Sequence, residues 1–256
     1  MLRTLWTSKS AMNANQERLD SISNNISNSG TMGYKKTEVG FQDLLTESLD
    51  RKGYPINDKE SYIGTGMKAG EWYRDNSQGG LIETLRSTDI AIDGSGYFRV
   101  VYSNGESAYT RDGAFAVDGL GRLVDTNGNK LHLEYTNGFT EDNVEFTKDN
   151  FLIDSEGSVY INKDNNFSKV AEVPLYTAVG DRAFLSVGEN LFQPVQGTEV
   201  FRTRDADIFQ GFMEGSNVDI AEEFADMIIT QRGFELSSKG ITTADEMWGM
   251  INNLRS

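Results

Sequence analysis

The stretch DIAEEFADMIITQRGFELSSKGITTADEMWGMINNL, residues 219–254, decides the fold. Within it Ile220, Met227, Phe234, Ile241 and Trp248 recur every seven residues, and Phe224, Ile228, Ile251 and Leu254 widen the apolar face. That period belongs to a helix with a seam. Asn217 and Asp219 stand where an N-cap belongs, and Glu222, three residues after Asp219, completes the pattern of a capping box. At about 1.5 Å per residue the helix runs roughly 54 Å, too long for the interior of one small domain. Gly233, Gly240 and Gly249 cost it up to about 3 kcal/mol against Ala, so it is expected to depend on partners.

The other end of the chain has the same character. Residues 1–29 contain neither Gly nor Pro, and Leu5, Met12, Leu19 and Ile26 again recur every seven residues. Gly30 and Gly33 are expected to stop this helix, since Gly takes the left-handed cap conformation without steric cost. Residues 37–60, with Phe41, Leu44 and Leu45 before Arg51-Lys52-Gly53-Tyr54-Pro55, read as a short helix and a linker. The middle is different material. Short apolar or alternating runs such as Ile90-Ala91-Ile92 and Tyr97-Phe98-Arg99-Val100-Val101 are separated by Asn104-Gly105, Asp112-Gly113, Asp118-Gly119, Asn127-Gly128, Asn137-Gly138 and Glu156-Gly157, the signature of antiparallel strands and turns. The expectation is an α+β protein. Its long N- and C-terminal heptad helices (1–36 and 216–256) form a coiled-coil assembly domain around a central antiparallel β domain (61–215).

Composition narrows the function. The chain has 256 residues and a net charge of −15, which repels phosphate backbones and anionic membranes, so neither nucleic acid nor membrane is an expected partner. With no Cys and a single histidine, His132, thiolate metal sites and multi-histidine sites are excluded. No metal or cofactor is expected. His132, in Leu131-His132-Leu133, alternates like an exposed strand residue. No run of about 20 apolar residues could span a bilayer, and no cleaved leader pattern is visible. Charge follows the segments, with five basic and two acidic residues in 1–36, 16 and 30 in 37–215, and three and seven in 216–256. Glu222, Glu223 and Asp226 could supply a carboxylate pair, but their helical spacing reads as a solvated face. Asp125-Thr126-Asn127-Gly128-Asn129 opens like a calcium loop but lacks its Gly at position six and Glu at position twelve, and reads as a turn. Asp93-Gly94-Ser95-Gly96 lacks the third Gly and the helix of a dinucleotide loop.

Three ordered blocks carry a resemblance. Ile22-Ser23-Asn24-Asn25-Ile26-Ser27-Asn28 with Thr31 and Gly33-Tyr34-Lys35, then Asp89-Ile90-Ala91-Ile92-Asp93-Gly94 with Tyr109-Thr110-Arg111-Asp112-Gly113, then Ser216-Asn217-Val218-Asp219 with Thr243-Ala244-Asp245-Glu246-Met247, resemble the bacterial flagellar rod and hook family across the whole chain. The resemblance implies a self-polymerising structural subunit of the basal-body rod, a hollow drive shaft carrying torque from motor to hook. Its implied partners are further copies, adjacent rod and hook subunits and the flagellar export gate, and its implied place is the cell envelope, reached without a cleaved signal peptide. The length implies a rod subunit, and Ala221-Glu222-Glu223 with Gln231-Arg232 favour the distal over the proximal position. Phe41 and Leu45 resemble the family's export-gate element. A secreted carbohydrate-active enzyme and a monomeric β binding module are the readings from other classes. Filament formation separates them from the rod reading.

Overall fold

The structure is a computed structural model, and it describes residues 2–44, 46–48, 62–136, 138–141, 143–148, 150–163, 166–180 and 183–255. It has an N-terminal helix, α1 (Leu2–Ser27), a long antiparallel β region, and a C-terminal helix, α2 (Ile220–Arg255). The chain divides into two compact units. One comprises Met1–Ser27, Thr37–Tyr73 and Asp219–Ser256, and the other Asn28–Lys36 and Arg74–Val218.

In the helical unit, α1 and α2 run antiparallel. Arg18 pairs with Asp226 at 2.7 Å, Asn25 reaches Glu223, and a Cβ built on Gly233 or Gly240 would meet Asn15 or Ser8. The contacts thus descend along α2 as they ascend α1. The helix cap works as expected at Asp219, whose Oδ1 accepts from the amides of Ala221 (2.8 Å) and Glu222 (3.2 Å). Asn217 does not cap. Its side chain accepts from the Lys36 amide at 2.7 Å and donates to the Asp75 carbonyl at 3.0 Å, both within the β unit.

Two expectations are corrected here. The segment taken for a short helix begins with a strand, Thr37–Asp43, paired with Met67–Arg74, and Thr46–Ser48 pairs with Tyr62–Gly64. Thr37, Val39 and Phe41 are good strand formers, and a partner some thirty residues away outweighs the local amphipathic pattern. The first helix is not ended by Gly30 or Gly33. It closes in a turn in which Asn28 accepts from the Thr31 amide at 3.0 Å, and its Oδ1 from the Thr31 hydroxyl at 3.3 Å.

The β unit is antiparallel at every described pairing, with Ile90–Gly94 against Ala206–Gln210, Tyr97–Val101 against Ser107–Thr110, and Phe151–Ile153 against Ser158–Lys163. Inward residues Ile92, Phe98, Val100, Phe115 and Val159 form its core, with Phe98 edge-on to Phe115 at 5.7 Å. Asp125 makes a self-contained turn. Its carboxylate accepts from the amides of Asn127 and Asn129 at 2.8 Å each, and from the Asn129 side chain. His132 is half-buried rather than exposed, because its amide pairs with the Arg99 carbonyl at 2.9 Å and its ring lies beside Tyr176.

Candidate functional site

The side of α2 that α1 covers is lined by small and polar residues, with Glu223, Thr230 and Ala244 buried at intervals of seven and fourteen residues. The larger apolar residues are elsewhere. Ile220, Phe224 and Ile228 form an exposed stripe at intervals of four. At about 100° per residue, Ile229, Leu236, Met247, Met250 and Leu254 continue around the side turned away from α1. Ile228, Ile229 and Leu236 are 60–68% exposed. A helix that is apolar on several sides is built to be buried by several neighbours, and α1 supplies one.

The seven-residue stripes read from the sequence occupy the flanks of this arrangement. Leu5, Met12, Leu19 and Ile26 on α1 are half-buried, as are Met227, Phe234 and Ile241 on α2, whereas Ile220 and Trp248 are exposed. Sequence periodicity missed the residues in the contact itself. Gly240 comes so close to α1 that a Cβ there would lie 2.5 Å from Ser8 Oγ, and one at Gly233 would lie 3.3 Å from the Asn15 amide. Gly249 has open space around it.

Asn25 anchors the end of α1. It is 1% exposed, and its amide accepts from the Thr37 amide at 3.0 Å and donates to the Thr37 carbonyl at 2.9 Å, serving as a strand partner would. Its amide nitrogen also donates to Glu223 at 3.1 Å, while Ser21 Oγ donates to the same Thr37 carbonyl at 2.7 Å. The asparagine-rich block therefore has a structural reason at this position, whereas Asn24 lies on the exposed side. The carboxylates considered for catalysis are engaged here too, Glu223 with Asn25 and Asp226 with Arg18.

In the β unit the Gly33-Tyr34-Lys35 block meets Glu214. Gly33 has φ +67, its amide donates to the Glu214 carbonyl at 2.8 Å, and a Cβ would sit 2.6 Å from the Asp112 nitrogen, so only Gly fits. Lys35 Nζ lies 2.6 Å from Glu214 Oε1 and 2.7 Å from the Ser77 carbonyl. The Gly79 amide donates to the same Oε1 at 2.9 Å, and Arg111 reaches Oε2 at 3.2 Å. Both side chains of the Lys35–Glu214 pair are essentially excluded from water. Burial is the larger influence on Lys35 and pushes its pKa down, against the pull of Glu214. Charge pairing at this depth holds chain segments together because separation would strand an ion in the interior.

Phe41, on the strand Thr37–Asp43, is 40% exposed, with the Arg18 guanidinium 5.4 Å from its ring centre. Leu45 lies outside the described residues. Among the described residues no cluster of three or more potential metal ligands occurs, and no helix is long and apolar enough to cross a membrane.

Comparison with known proteins matches these same regions. Residues 5–35 match the family described as flagella basal body rod protein, residues 91–161 the flagellar hook protein FlgE/F/G D1 domain, and residues 210–254 the flagellar basal body rod FlgEFG protein C-terminal region. The chain is 34% identical to the flagellar basal-body rod protein FlgG of Borreliella burgdorferi, covering 100% of this chain and 99% of that protein. It is 35% identical to FlgG of Bacillus subtilis over the whole of both chains, and 33% identical to FlgG of Buchnera aphidicola over 99% of this chain and 100% of the relative.

Proposed function

The chain belongs to the flagellar basal-body rod family and is a structural subunit of the rod, and from that premise we propose how it assembles. Its place is the flagellar basal body, with other rod and hook subunits as neighbours, and its full-length likeness to FlgG fits the distal rod. Copies join through their terminal helices. The apolar side of α2 left open by α1 is covered by helices of neighbouring copies, and the flanking stripes of Leu5, Met12, Leu19 and Ile26 with Met227, Phe234, Ile241 and Trp248 complete a coiled-coil tube around a hollow core. Many helices buried by several neighbours resist torsion, as a shaft carrying torque from motor to hook requires. The buried apolar area supplies the driving force, at roughly 25 cal/mol per Å².

One observation carries this reading, the exposure of Ile228, Ile229 and Leu236 on a 36-residue helix. Sedimentation of wild type against an Ile229→Asp, Leu236→Asp variant tests it, since charges there are tolerated in a monomer and opposed in an assembly. The wild type should associate with rising concentration and the variant should not. Equal association would refute the helix assignment. Phe41, with Leu45, serves as the handle for the export gate before folding, a role supported by the place of this Phe-x-x-x-Leu spacing just after the N-terminal helix. Catalysis has no part in this account, because Glu223 and Asp226 are committed to holding the helices together.

A further inference from the structure

A cleft of about 180 Å³ opens in the β unit beside the buried Lys35–Glu214 pair, with Arg74, Arg111, Asn76, Ser95, Gly96 and Tyr97 among its walls. Its two arginines are incompletely satisfied. Arg111, 4% exposed, gives one terminal nitrogen to Glu214 at 3.2 Å and the other to the Gly94 carbonyl at 2.8 Å, which leaves its buried Nε without an acceptor. Arg74 lies with its guanidinium 4.4 Å from the centre of the Phe192 ring. Among the described residues no carboxylate lies within ion-pair distance of it. Burial is the largest influence on Arg74 and pushes its pKa down, and the groups that oppose the shift are the tyrosines Tyr97 and Tyr34.

We propose that the cleft between Arg74 and Arg111 is an oxyanion site, taking a phosphate-sized ion or the carboxylate of an Asp or Glu side chain from a second copy of this chain. Guanidinium forks suit planar and tetrahedral oxyanions because parallel N–H groups can meet two oxygens at once. A stacked Arg74 keeps its N–H edges available, and Arg111 adds fixed positive charge from a side chain that cannot move without breaking its bond to Glu214. The Asn76 side chain faces the same space and accepts from the Tyr97 hydroxyl at 3.2 Å. The size excludes larger ligands, since sites for drug-sized molecules begin near about 300 Å³. In a chain of net charge −15, a cation such as Arg74, with no carboxylate beside it among the described residues, marks a place where an anion is missing rather than a general basic surface.

The test titrates inorganic phosphate against the dilute full chain, with sodium chloride at matched ionic strength as control, and follows the melting temperature and the phosphorus resonance. A saturable rise in melting temperature with phosphate alone is expected, weakened roughly tenfold or more in Arg74→Gln, which loses charge-assisted bonds. Ser95→Asp, on the exposed rim, should supply the anion from within, raising the melting temperature without phosphate and abolishing the phosphate response. This second variant decides the matter if Arg74→Gln fails to fold. No phosphate response beyond chloride, or an undiminished response in Ser95→Asp, overturns the proposal. The source is read by concentrating the chain with phosphate bound, an arm that rests on the assembly reading. Retention of phosphate identifies a resident ion, and release identifies a carboxylate from a second copy.

Discussion

Replacing Lys35 with Met removes one charge from a site whose three ionised groups touch almost no water. Glu214 then keeps two donors, Arg111 at 3.2 Å and the Gly79 amide at 2.9 Å, and the Ser77 carbonyl keeps the Asn217 side chain at 3.2 Å. Removing one partner of a buried pair costs about 3 to 5 kcal/mol, and these remaining bonds place the loss near the lower figure. About 3 kcal/mol corresponds to a fall of roughly 6 to 12 °C in melting temperature for a unit of this size. Glu214→Gln should be the more damaging change, because it strands two cations, Lys35 and Arg111, where Lys35→Met leaves one anion that still has a cation beside it. Thermal unfolding followed by near-ultraviolet circular dichroism measures both variants in the full chain. A Lys35→Met protein melting within about 2 °C of wild type, or a Glu214→Gln protein more stable than Lys35→Met, would refute the reasoning.

Glycines on α2 should respond in opposite ways to alanine. Gly249→Ala, in open space, should stabilise the helix by up to about 1 kcal/mol, whereas Gly240→Ala should gain nothing or lose because its Cβ meets Ser8 Oγ at 2.5 Å. Helical circular dichroism on heating separates them. Burial first, and then Arg99, hold the His132 pKa below its ordinary 6.5. The unfolded chain therefore takes up this proton more readily, so the associated stability is complete above about pH 6.5 and declines as pH falls toward the folded value. His132→Gln should flatten that part of the melting profile, and an unchanged profile would count against the assignment. Phe41→Ala should lower secretion while shifting the melting temperature little, since the ring is 40% exposed. Normal secretion with a lowered melting temperature would assign Phe41 to packing.

Both long helices were legible because a heptad stripe sustained over several turns has few other readings, even with the three glycines of α2. Their mutual contact was not, since it runs through Ser8, Asn15, Gly233 and Gly240 and the polar pairs Arg18–Asp226 and Asn25–Glu223, none of which carries a hydrophobic signal. Asp112-Gly113 looked like a turn, yet Gly113 adjoins the Ile90 backbone so closely that a Cβ would fall 1.6 Å from its carbonyl oxygen. A dipeptide cannot reveal which strand passes beside it. Lys35 stood out within its motif, but its partner lies 179 residues away, and no local pattern couples such positions. The strand at Thr37–Asp43 was hidden for a related reason, because its hydrogen-bonding partners, Asn25 on α1 and the strand Met67–Arg74, are tertiary.

Electron microscopy of the purified full chain, taken from dilute to highly concentrated solution, tests the central claim most directly. The account predicts filaments that appear above a threshold concentration in the wild type and are absent in the Ile229→Asp, Leu236→Asp variant while its β unit still melts normally. A wild type that stays monomeric at every concentration, or a variant that builds the same filaments, would contradict it.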